Sequence, residues 1–236
     1  MTEFSYIGSE LEIFAHAKNW KSYYKSLISP FLGEQVLEVG AGIGATTAIL
    51  CEHTSKKWVC LEPDPNLKGV IDQNIENGSL PAVCESQLGT VASLNNNDLF
   101  SSILYIDVVE HIENDEVELE QAALHLKPGG ALIVLSPAHN WLFTPFDQKI
   151  GHYRRYSKKS LSAITPKNCK LENLYYLDSA GMLLSLGNRV LLRQSMPNIK
   201  QILFWDQKIV PLSKILDPLF NYSLGKSILA IWKRAD

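Results

Sequence analysis

The sequence predicts a single α/β domain in which helices cover both faces of a mostly parallel sheet. Strand-like and helix-like segments alternate through most of the 236 residues, the pattern typical of parallel strands joined by crossover helices. Of these residues 46% are hydrophobic and 20% are charged, which fits one compact globular domain. A chain of this length buries roughly 70% of its unfolded surface, so its core needs no disulfides.

The amino-terminal half contains four predicted strands, recognised as apolar runs that end at Gly, Pro or polar clusters. The strands are expected at 35–39, 58–61, 81–84 and 102–106, with helices at 45–52 and 66–77 after the first two. Residues 1–33 precede the first strand. We expect them to form a helical lid over a ligand, with Trp20 and Tyr23 as lid residues.

A capped helix precedes the fifth strand. Asn114 or Asp115 can begin this helix, whose apolar residues at 119, 122, 123 and 126 follow i, i+3, i+4, i+7 spacing. The Lys-Pro-Gly-Gly sequence at 127–130 predicts the end of the helix. The continuous apolar run at 131–136 then predicts a strand that is buried on both faces.

The carboxyl-terminal part departs from the regular alternation. Residues 137–160 are rich in aromatic and cationic side chains and predict a substrate-side loop, in which Ser157 caps a short helix. A strand is then expected at 171–178, a helical insertion at 181–220 and a closing strand at 227–232. Because the insertion separates the last two strands, we expect one domain over 1–236, with 34–136 as its ligand-binding core.

Charge and cysteine content narrow the class of protein. The formal net charge of -3 gives no electrostatic basis for binding nucleic acid. The four cysteines, Cys51, Cys60, Cys84 and Cys169, lack zinc-ligand spacing and are expected to be reduced thiols. The first residues have neither the basic nor the apolar region of a secretory leader, and no run of eighteen apolar residues occurs, so we expect neither secretion nor a membrane-spanning helix. We therefore expect a cytoplasmic protein.

The most informative segment is the glycine-rich turn after the first strand. Gly40, Gly42 and Gly44 leave a strand-to-helix turn with almost no side chains, so that a ligand can lie directly on the backbone. Gly40, Gly42 and Ala45 also satisfy the dinucleotide fingerprint, and Glu62 lies at the distance of a ribose-binding acid. The turn alone is therefore compatible with a dinucleotide, with another ligand that carries a ribose, or with a purely structural role.

Glu38 discriminates between these ligands. A carboxylate at the end of a buried strand is costly unless it meets a cation or hydrogen-bond donors. The pyrophosphate of a dinucleotide would be repelled by Glu38, whereas an ammonium or sulfonium group would be attracted. These residues favour S-adenosylmethionine, which carries an amino acid, a sulfonium and an adenosine.

Four motifs in order over residues 34–136 resemble those of the class I S-adenosylmethionine-dependent methyltransferases. They are Glu-Val-Gly-Ala-Gly-Ile-Gly at 38–44, Cys-Leu-Glu-Pro-Asp at 60–64, Asp-Val-Val-Glu-His-Ile at 107–112 and Leu-Lys-Pro-Gly-Gly at 126–130. The resemblance implies a Rossmann-like sheet of seven strands with helices on both faces. Its last strand runs antiparallel, and the segment at 227–232 can supply it.

The resemblance also implies the cofactor contacts. Glu38 and the glycine turn would hold the methionine end, and Glu62 would take the ribose hydroxyls. The expected cofactor-binding residues are Glu38, Gly40, Ala41, Gly42, Gly44, Glu62, Pro63, Gly89, Thr90, Ile106 and Asp107. Two positions depart from the family pattern, because Thr90 and Ser101 stand where acids are common. Adenine recognition is therefore expected to rest on Thr90 and backbone groups, with S-adenosylhomocysteine as the product.

Candidate catalytic groups follow the later strands. A base is needed when the methyl acceptor carries a proton at neutral pH, and such a base should lie past the carboxyl ends of the strands. We expect His111, His152 and Tyr153 to be catalytic and His139 to contact substrate. The alternative for His111 is a histidine that packs against a helix.

The segment at 151–156, Gly-His-Tyr-Arg-Arg-Tyr, resembles that of a methyltransferase subgroup associated with glycan or lipid biosynthesis. Arg154 and Arg155 are candidates to hold a carboxylate or phosphate of the substrate, with Tyr153 and Tyr156 forming an aromatic wall. In the alternative, one arginine pairs with Asp147 and the tyrosines close the core.

A metal site is a further alternative in this region. Asp107, Glu110 and His111, with His139 or His152, resemble the metal-binding E-x-x-E-H motif of methyltransferases that act on RNA 3′ ends. The same residues fit the ordinary segment after the fourth strand of metal-free relatives. We therefore expect no metal.

The sequence thus predicts transfer of a methyl group from S-adenosylmethionine to a small-molecule or lipid- or glycan-linked acceptor. The supply of candidate bases favours oxygen as the methylated atom. The insertion at 181–220 is expected to pack as a helical cap, cover an apolar acceptor, form a homodimer face or make a peripheral membrane contact. The competing functions are a nicotinamide-dependent oxidoreductase and a non-catalytic S-adenosylmethionine-binding subunit.

Overall fold

A computed structural model of the protein describes residues 10–51, 55–191 and 198–235. Its centre is a seven-stranded sheet with the strand order β3-β2-β1-β4-β5-β7-β6. The strands are β1 Gln35–Val39, β2 Lys57–Glu62, β3 Cys84–Leu88, β4 Phe100–Ile106, β5 Leu126–Pro137, β6 Cys169–Leu177 and β7 Ser227–Arg234. Strands β1 to β5 pair in parallel, and β7 runs antiparallel to both β5 and β6. The predicted Rossmann-like sheet with an antiparallel closing strand is confirmed.

Helices cover both faces of the sheet. They are α1 Glu10–Ala15, α2 Lys18–Ile28, α3 Thr47–Leu50, α4 Pro65–Glu76, α5 Asp115–Leu124, α6 Pro145–Lys149, α7 Lys158–Ala163, α8 Ser179–Leu191, α9 Ile199–Phe204 and α10 Val210–Leu219. Alternate residues of each central strand face opposite sides. Val36 therefore packs with α2 on one face, and Leu37 packs with α5 on the other.

Several predicted boundaries shift for identifiable reasons. The third strand is Cys84–Leu88 rather than 81–84, because it is a polar edge strand in which only Cys84 is buried. The sequence at 127–130 lies inside β5 rather than in a turn, and the pairing of β5 with β4 shifts register there. Helix α3 is shorter than the predicted 45–52, and residue 52 of that prediction lies outside the described residues.

The loop at 137–160 and the insertion at 181–220 both contain helices. The loop contains α6, and the side chain of Ser157 accepts a hydrogen bond from the Ser160 N–H to cap α7, as predicted. The described part of the insertion contains α8, α9, a π-helical turn at Trp205–Ile209 and α10, and residues 192–197 of the prediction lie outside the described residues. In the described part of the chain, no helix has the length and apolar character needed to cross a bilayer. None of the four cysteines forms a disulfide.

Candidate active site

A cavity of about 350 Å³ opens at the carboxyl ends of β1 and β4. This is the point at which strand order reverses, since β2 lies on one side of β1 and β4 on the other. Ligands of open α/β sheets bind at such a point. The glycine turn forms part of the cavity wall, and Phe14, Trp20 and Trp205 contribute apolar side chains to it.

The glycine turn presents backbone to this cavity. Gly40, Gly42 and Gly44 have φ angles of +66°, +59° and +77°, in the left-handed region that favours glycine. A Cβ atom on Gly40 would lie 2.8 Å from the Val108 side chain. On Gly42 it would meet only Leu11, at 3.6 Å. The turn is therefore shaped for close approach of a ligand.

Two buried acids flank the turn. Glu38 accepts hydrogen bonds from Thr47 Oγ1 at 2.6 Å and Trp58 Nε1 at 2.8 Å, and burial raises its pKa to about 7. Glu62 accepts from the backbone N–H of Gly42 at 2.7 Å, and burial raises its pKa as well. Both carboxylates are thus fixed in orientation, and a cation or hydrogen-bond donor in the cavity would stabilise their charged forms.

Helix α2 brings a cation to the same cavity. Lys21 is only 6% exposed, and its Nζ donates to the carbonyl oxygen of Phe14 at 2.6 Å. Burial lowers the pKa of Lys21 to about 8, while Asp107 and other acids oppose this shift. An anion in the cavity would stabilise its ammonium group. The acids and this lysine together match a zwitterionic amino acid with an attached ribose.

A second polar cluster lies in the same cavity beyond β4. It contains Glu110 and His111, from a 3-10 turn at Val109–His111, and His152 from the loop after α6. His152 Nδ1 lies 2.9 Å from Asp147 Oδ1, and His152 Nε2 lies 3.9 Å from Glu110 Oε1. The rings of His111 and His152 are 4.5 Å apart at 84°.

Burial and hydrogen bonding set the charge states of this cluster. Burial raises the pKa of Glu110 well above its ordinary value and lowers the pKa of His111 to about 4. Burial also opposes ionisation of Asp147, but hydrogen bonds from His152 and Arg155 outweigh it and hold the pKa of Asp147 below its ordinary value. The Arg155 guanidinium contacts both Asp147 oxygens, at 2.7 and 2.8 Å.

The family model described as a methyltransferase domain matches residues 16–185. The chain belongs to the class I S-adenosylmethionine-dependent methyltransferase family. This match spans the glycine turn, Lys21 and both histidines of the second cluster. It sets aside the nicotinamide interpretation of the glycine turn, and the cofactor is S-adenosylmethionine.

Named relatives agree with this membership. The methyltransferase is 27% identical over 139 residues to a mitochondrial ubiquinone biosynthesis O-methyltransferase of Dictyostelium discoideum, covering 55% of this chain and 42% of the relative. It is 27% identical over 165 residues to a demethylmenaquinone methyltransferase of Tropheryma whipplei, covering 67% and 61%. The match thus spans about two fifths of the first relative's length. The fold resembles N-methyltransferase NodS of Bradyrhizobium japonicum, with TM-score 0.60, 12% identity and coverage of 94% and 88%.

Most of the predicted cofactor residues of the methyltransferase meet in the cavity. Its lining includes Glu38, Gly40, Ala41, Gly42, Glu62, Pro63, Ile106 and Asp107. Asp107 has a φ of +56°, a strained conformation of the kind found at functional sites. Three predicted residues lie elsewhere. A Cβ on Gly44 would press on Leu80, Gly89 donates its N–H to the Glu62 carbonyl, and Thr90 is exposed.

The predicted acceptor-side residues divide into two groups. His111, His152 and Arg155 line the cavity, although Arg155 is held by Asp147, as in the alternative interpretation. The remaining four are not among the lining residues. Tyr153 is 55% exposed, Arg154 pairs with Asp115 at 2.6 Å, Tyr156 donates to Asp115 at 2.6 Å, and His139 Nε2 lies 3.1 Å from the Gly225 carbonyl. Their side chains face solvent or structural partners, which departs from the predicted roles.

Three features of the site were not predicted. Lys21 lies in the buried stripe of α2 at the i+4 position from Ala17, and a lysine within an apolar stripe was the available signal. The hydrogen bond that Asp147 Oδ1 accepts from His152 Nδ1 had no such signal, because no local pattern shows that the chain turns back over the four residues between them. Of the two residues predicted for the lid, Trp20 lines the cavity, whereas Tyr23 donates to Asp217.

Proposed function

We propose that this methyltransferase methylates an oxygen atom of a small-molecule acceptor that binds beside Glu110, His111 and His152. The observation that carries the proposal is that this buried cluster and the glycine turn line one cavity. When bound at the turn, S-adenosylmethionine supplies an electrophilic methyl group on a sulfonium. The chain must then bind and orient both reactants and remove the acceptor's proton.

Three charged side chains are proposed to hold the cofactor. Glu38 receives the ammonium group, because its carboxylate is buried beside the bare backbone of the turn. Lys21 pairs with the carboxylate of the amino acid, which stabilises the ammonium form that burial disfavours. Glu62 accepts the ribose hydroxyls, since each oxygen that already accepts a backbone N–H retains a further lone pair.

The second cluster is proposed to remove the acceptor's proton. Asp147 accepts the hydrogen bond from His152 Nδ1, so that Nε2 is the ring nitrogen that faces Glu110. Arg155 and the capping contacts of Thr144 fix Asp147 in turn. The apolar side chains of Phe14 and Trp20 keep water from the reacting atoms. The names of the ubiquinone O-methyltransferase relatives support oxygen as the acceptor atom.

The test is a titration of the purified protein with S-adenosylhomocysteine and NADH, followed by transfer of radiolabelled methyl to hydroxylated aromatic compounds. We expect binding of S-adenosylhomocysteine but not NADH, and its loss in Glu38→Gln. Transfer should fall at least tenfold in His152→Gln while cofactor affinity is retained, because only the acceptor's proton is affected. Cofactor binding without transfer to oxygen acceptors would support the non-catalytic alternative.

A second proposal is that the acceptor is lipid-linked and that α10 contacts an anionic membrane surface. Helix α10 has inverted polarity: Ser213 and Asp217 are fully buried, whereas Leu212, Ile215 and Leu219 are 46%, 64% and 75% exposed. Ser213 Oγ donates to Asp178 at 2.5 Å, and Asp217 accepts from the Asp178 and Ser179 N–H groups. The polar side of α10 is bonded to the start of α8, and its apolar side therefore faces outward.

The charges on this segment favour an anionic bilayer over a protein partner. Within 198–220 the exposed charged residues are Lys200, Lys208 and Lys214, while both acids of the segment are buried. A helix with an apolar face and flanking lysines is typical of a segment that lies in a membrane interface. Trp205 belongs to this segment and also lines the cavity, so the proposed membrane surface lies next to the proposed acceptor site.

Flotation with phosphatidylglycerol vesicles and with phosphatidylcholine vesicles tests this contact. We expect binding to the anionic vesicles alone, with loss in a variant that combines Ile215→Ser and Leu219→Ser. Val117→Ser, at a 56% exposed position on α5, is the matched control. Equal recovery of the double variant and the control would contradict the proposal, and a concentration-dependent dimer without vesicle binding would identify the face as a homodimer surface.

A further inference from the structure

One carboxylate oxygen in the cavity is buried without a partner. Glu110 is fully buried, and its Oε1 is the one buried side-chain oxygen or nitrogen among the described residues that lacks a hydrogen-bond partner. An unpaired carboxylate in such a position is costly unless a cation compensates it. Glu110 lines the cavity, and its Oε1 lies 3.9 Å from His152 Nε2.

Two imidazole rings converge on this oxygen. Glu110, His111 and His152 each offer one ligand atom, and these three atoms lie within 4.8 Å of one another. We infer that these three side chains bind one divalent transition-metal ion of the zinc class. A set of two histidines and one carboxylate leaves further coordination positions open, as catalytic zinc and non-haem metal sites do.

The surrounding residues orient each ligand in the way that metal sites require. His152 Nδ1 bonds to Asp147 Oδ1, which leaves Nε2 for the ion. Ser136 Oγ donates to Glu110 Oε2, which leaves Oε1 for it. His111 makes a backbone hydrogen bond with Ile150. Such outer contacts fix ring orientation and tautomer and increase ligand basicity.

The donor atoms identify the class of ion. Imidazole nitrogen with one carboxylate oxygen suits Zn²⁺, Co²⁺ or Fe²⁺, whereas Mg²⁺ and Ca²⁺ prefer oxygen ligands alone. The role of the ion in the reaction rests on the proposed function. With the ion bound, His152 Nε2 would be a ligand and not the base. An acceptor hydroxyl in an open position would instead have its pKa lowered by the ion and would release its proton to water before the oxygen is methylated.

Cobalt provides a direct readout that needs neither cofactor nor acceptor. Chelator-treated full-length protein is titrated with Co²⁺ and followed by visible absorption, and Zn²⁺ is then added as competitor. We expect one Co²⁺ per chain and displacement by one Zn²⁺. Glu110→Gln and His111→Gln should each weaken Co²⁺ binding at least tenfold, because each removes a ligand. His16→Gln, at an exposed histidine, should bind as the wild type does.

S-adenosylhomocysteine binding is measured on every variant to show that it remains folded. Ser136→Ala supplies an independent comparison and should weaken Co²⁺ affinity about tenfold, since it loosens Glu110 without removing it. No stoichiometric cobalt absorption in the wild type would overturn the inference, as would unchanged affinity in folded Glu110→Gln. Either result would leave the proposed methyl transfer to be judged separately, by its own titration and product assay.

Discussion

Replacing Lys21 by Met should stabilise the protein near neutral pH and weaken its cofactor binding. Burial lowers the pKa of Lys21 from 10.5 to about 8, so folding at pH 7 carries the cost of holding a disfavoured ammonium ion. At about 1.4 kcal/mol per pH unit this difference amounts to roughly 3 kcal/mol. Met removes the cost but also leaves the Phe14 carbonyl without its donor, which costs about 1 kcal/mol. The expected net gain is about 2 kcal/mol.

The pH dependence of this gain follows from the direction of the pKa change. Between about pH 8 and 10.5 the unfolded chain binds more protons at Lys21 than the folded chain, so the wild type gains stability as pH rises. Lys21→Met lacks this gain, and its advantage should shrink by about 2–3 kcal/mol between pH 7 and pH 10.

Urea unfolding of the cofactor-free protein at both pH values measures the difference. Lys25→Met is the matched control, because Lys25 lies one turn later in α2, is half-buried and also donates to a backbone carbonyl, that of Ile49. A stability difference between Lys21→Met and the wild type that does not change with pH would refute the reasoning. Cofactor affinity of Lys21→Met equal to that of the wild type would refute the proposed pairing with the cofactor carboxylate.

Three further substitutions test contacts at the cavity and its cover. Asp206 accepts the N–H groups of Asn19 and Trp20 in the first turn of α2, so Asp206→Ala should lower the free energy of unfolding by about 2 kcal/mol in urea titrations. Glu62→Ala should weaken S-adenosylhomocysteine binding by roughly 1–3 kcal/mol in calorimetry, because ribose hydroxyls lose their acceptor. Gly40→Ala should cost about 1–3 kcal/mol of stability in thermal unfolding, because its φ is +66° and the new Cβ would meet Val108.

The sheet could be predicted from the sequence because its central strands are buried on both faces and have strong apolar runs. Strand β3 was misplaced for the opposite reason: it lies at the edge, and its Glu85, Ser86 and Gln87 give no apolar signal. The positions that end β1, β2 and β4 were predicted as cofactor residues because parallel strands bring their carboxyl ends together. Local sequence was therefore sufficient to predict a cavity residue where its position at the end of a strand alone places its side chain.

Contacts between distant segments could not be predicted from local sequence patterns. Asp206 contacts α2 across 186 residues of sequence, and no local pattern shows that pairing. In the segment at 151–156 the residue types identified a polar site, but not which side chains turn inward. The structure turns His152 toward the cavity and Tyr153 toward solvent, since the Tyr153 N–H is fixed by the Glu110 carbonyl.

The inverted polarity of α10 also determines how its attachment responds to temperature. Detaching this helix would break hydrogen bonds at Asp178 and Asp217 and expose Val210, but its outer leucine and isoleucine side chains are already in water. The heat capacity of unfolding rises with newly exposed apolar surface, so local opening here carries a small heat-capacity change. Unfolding of the sheet carries a large one. Cooling therefore weakens the sheet core more than it weakens the attachment of α10.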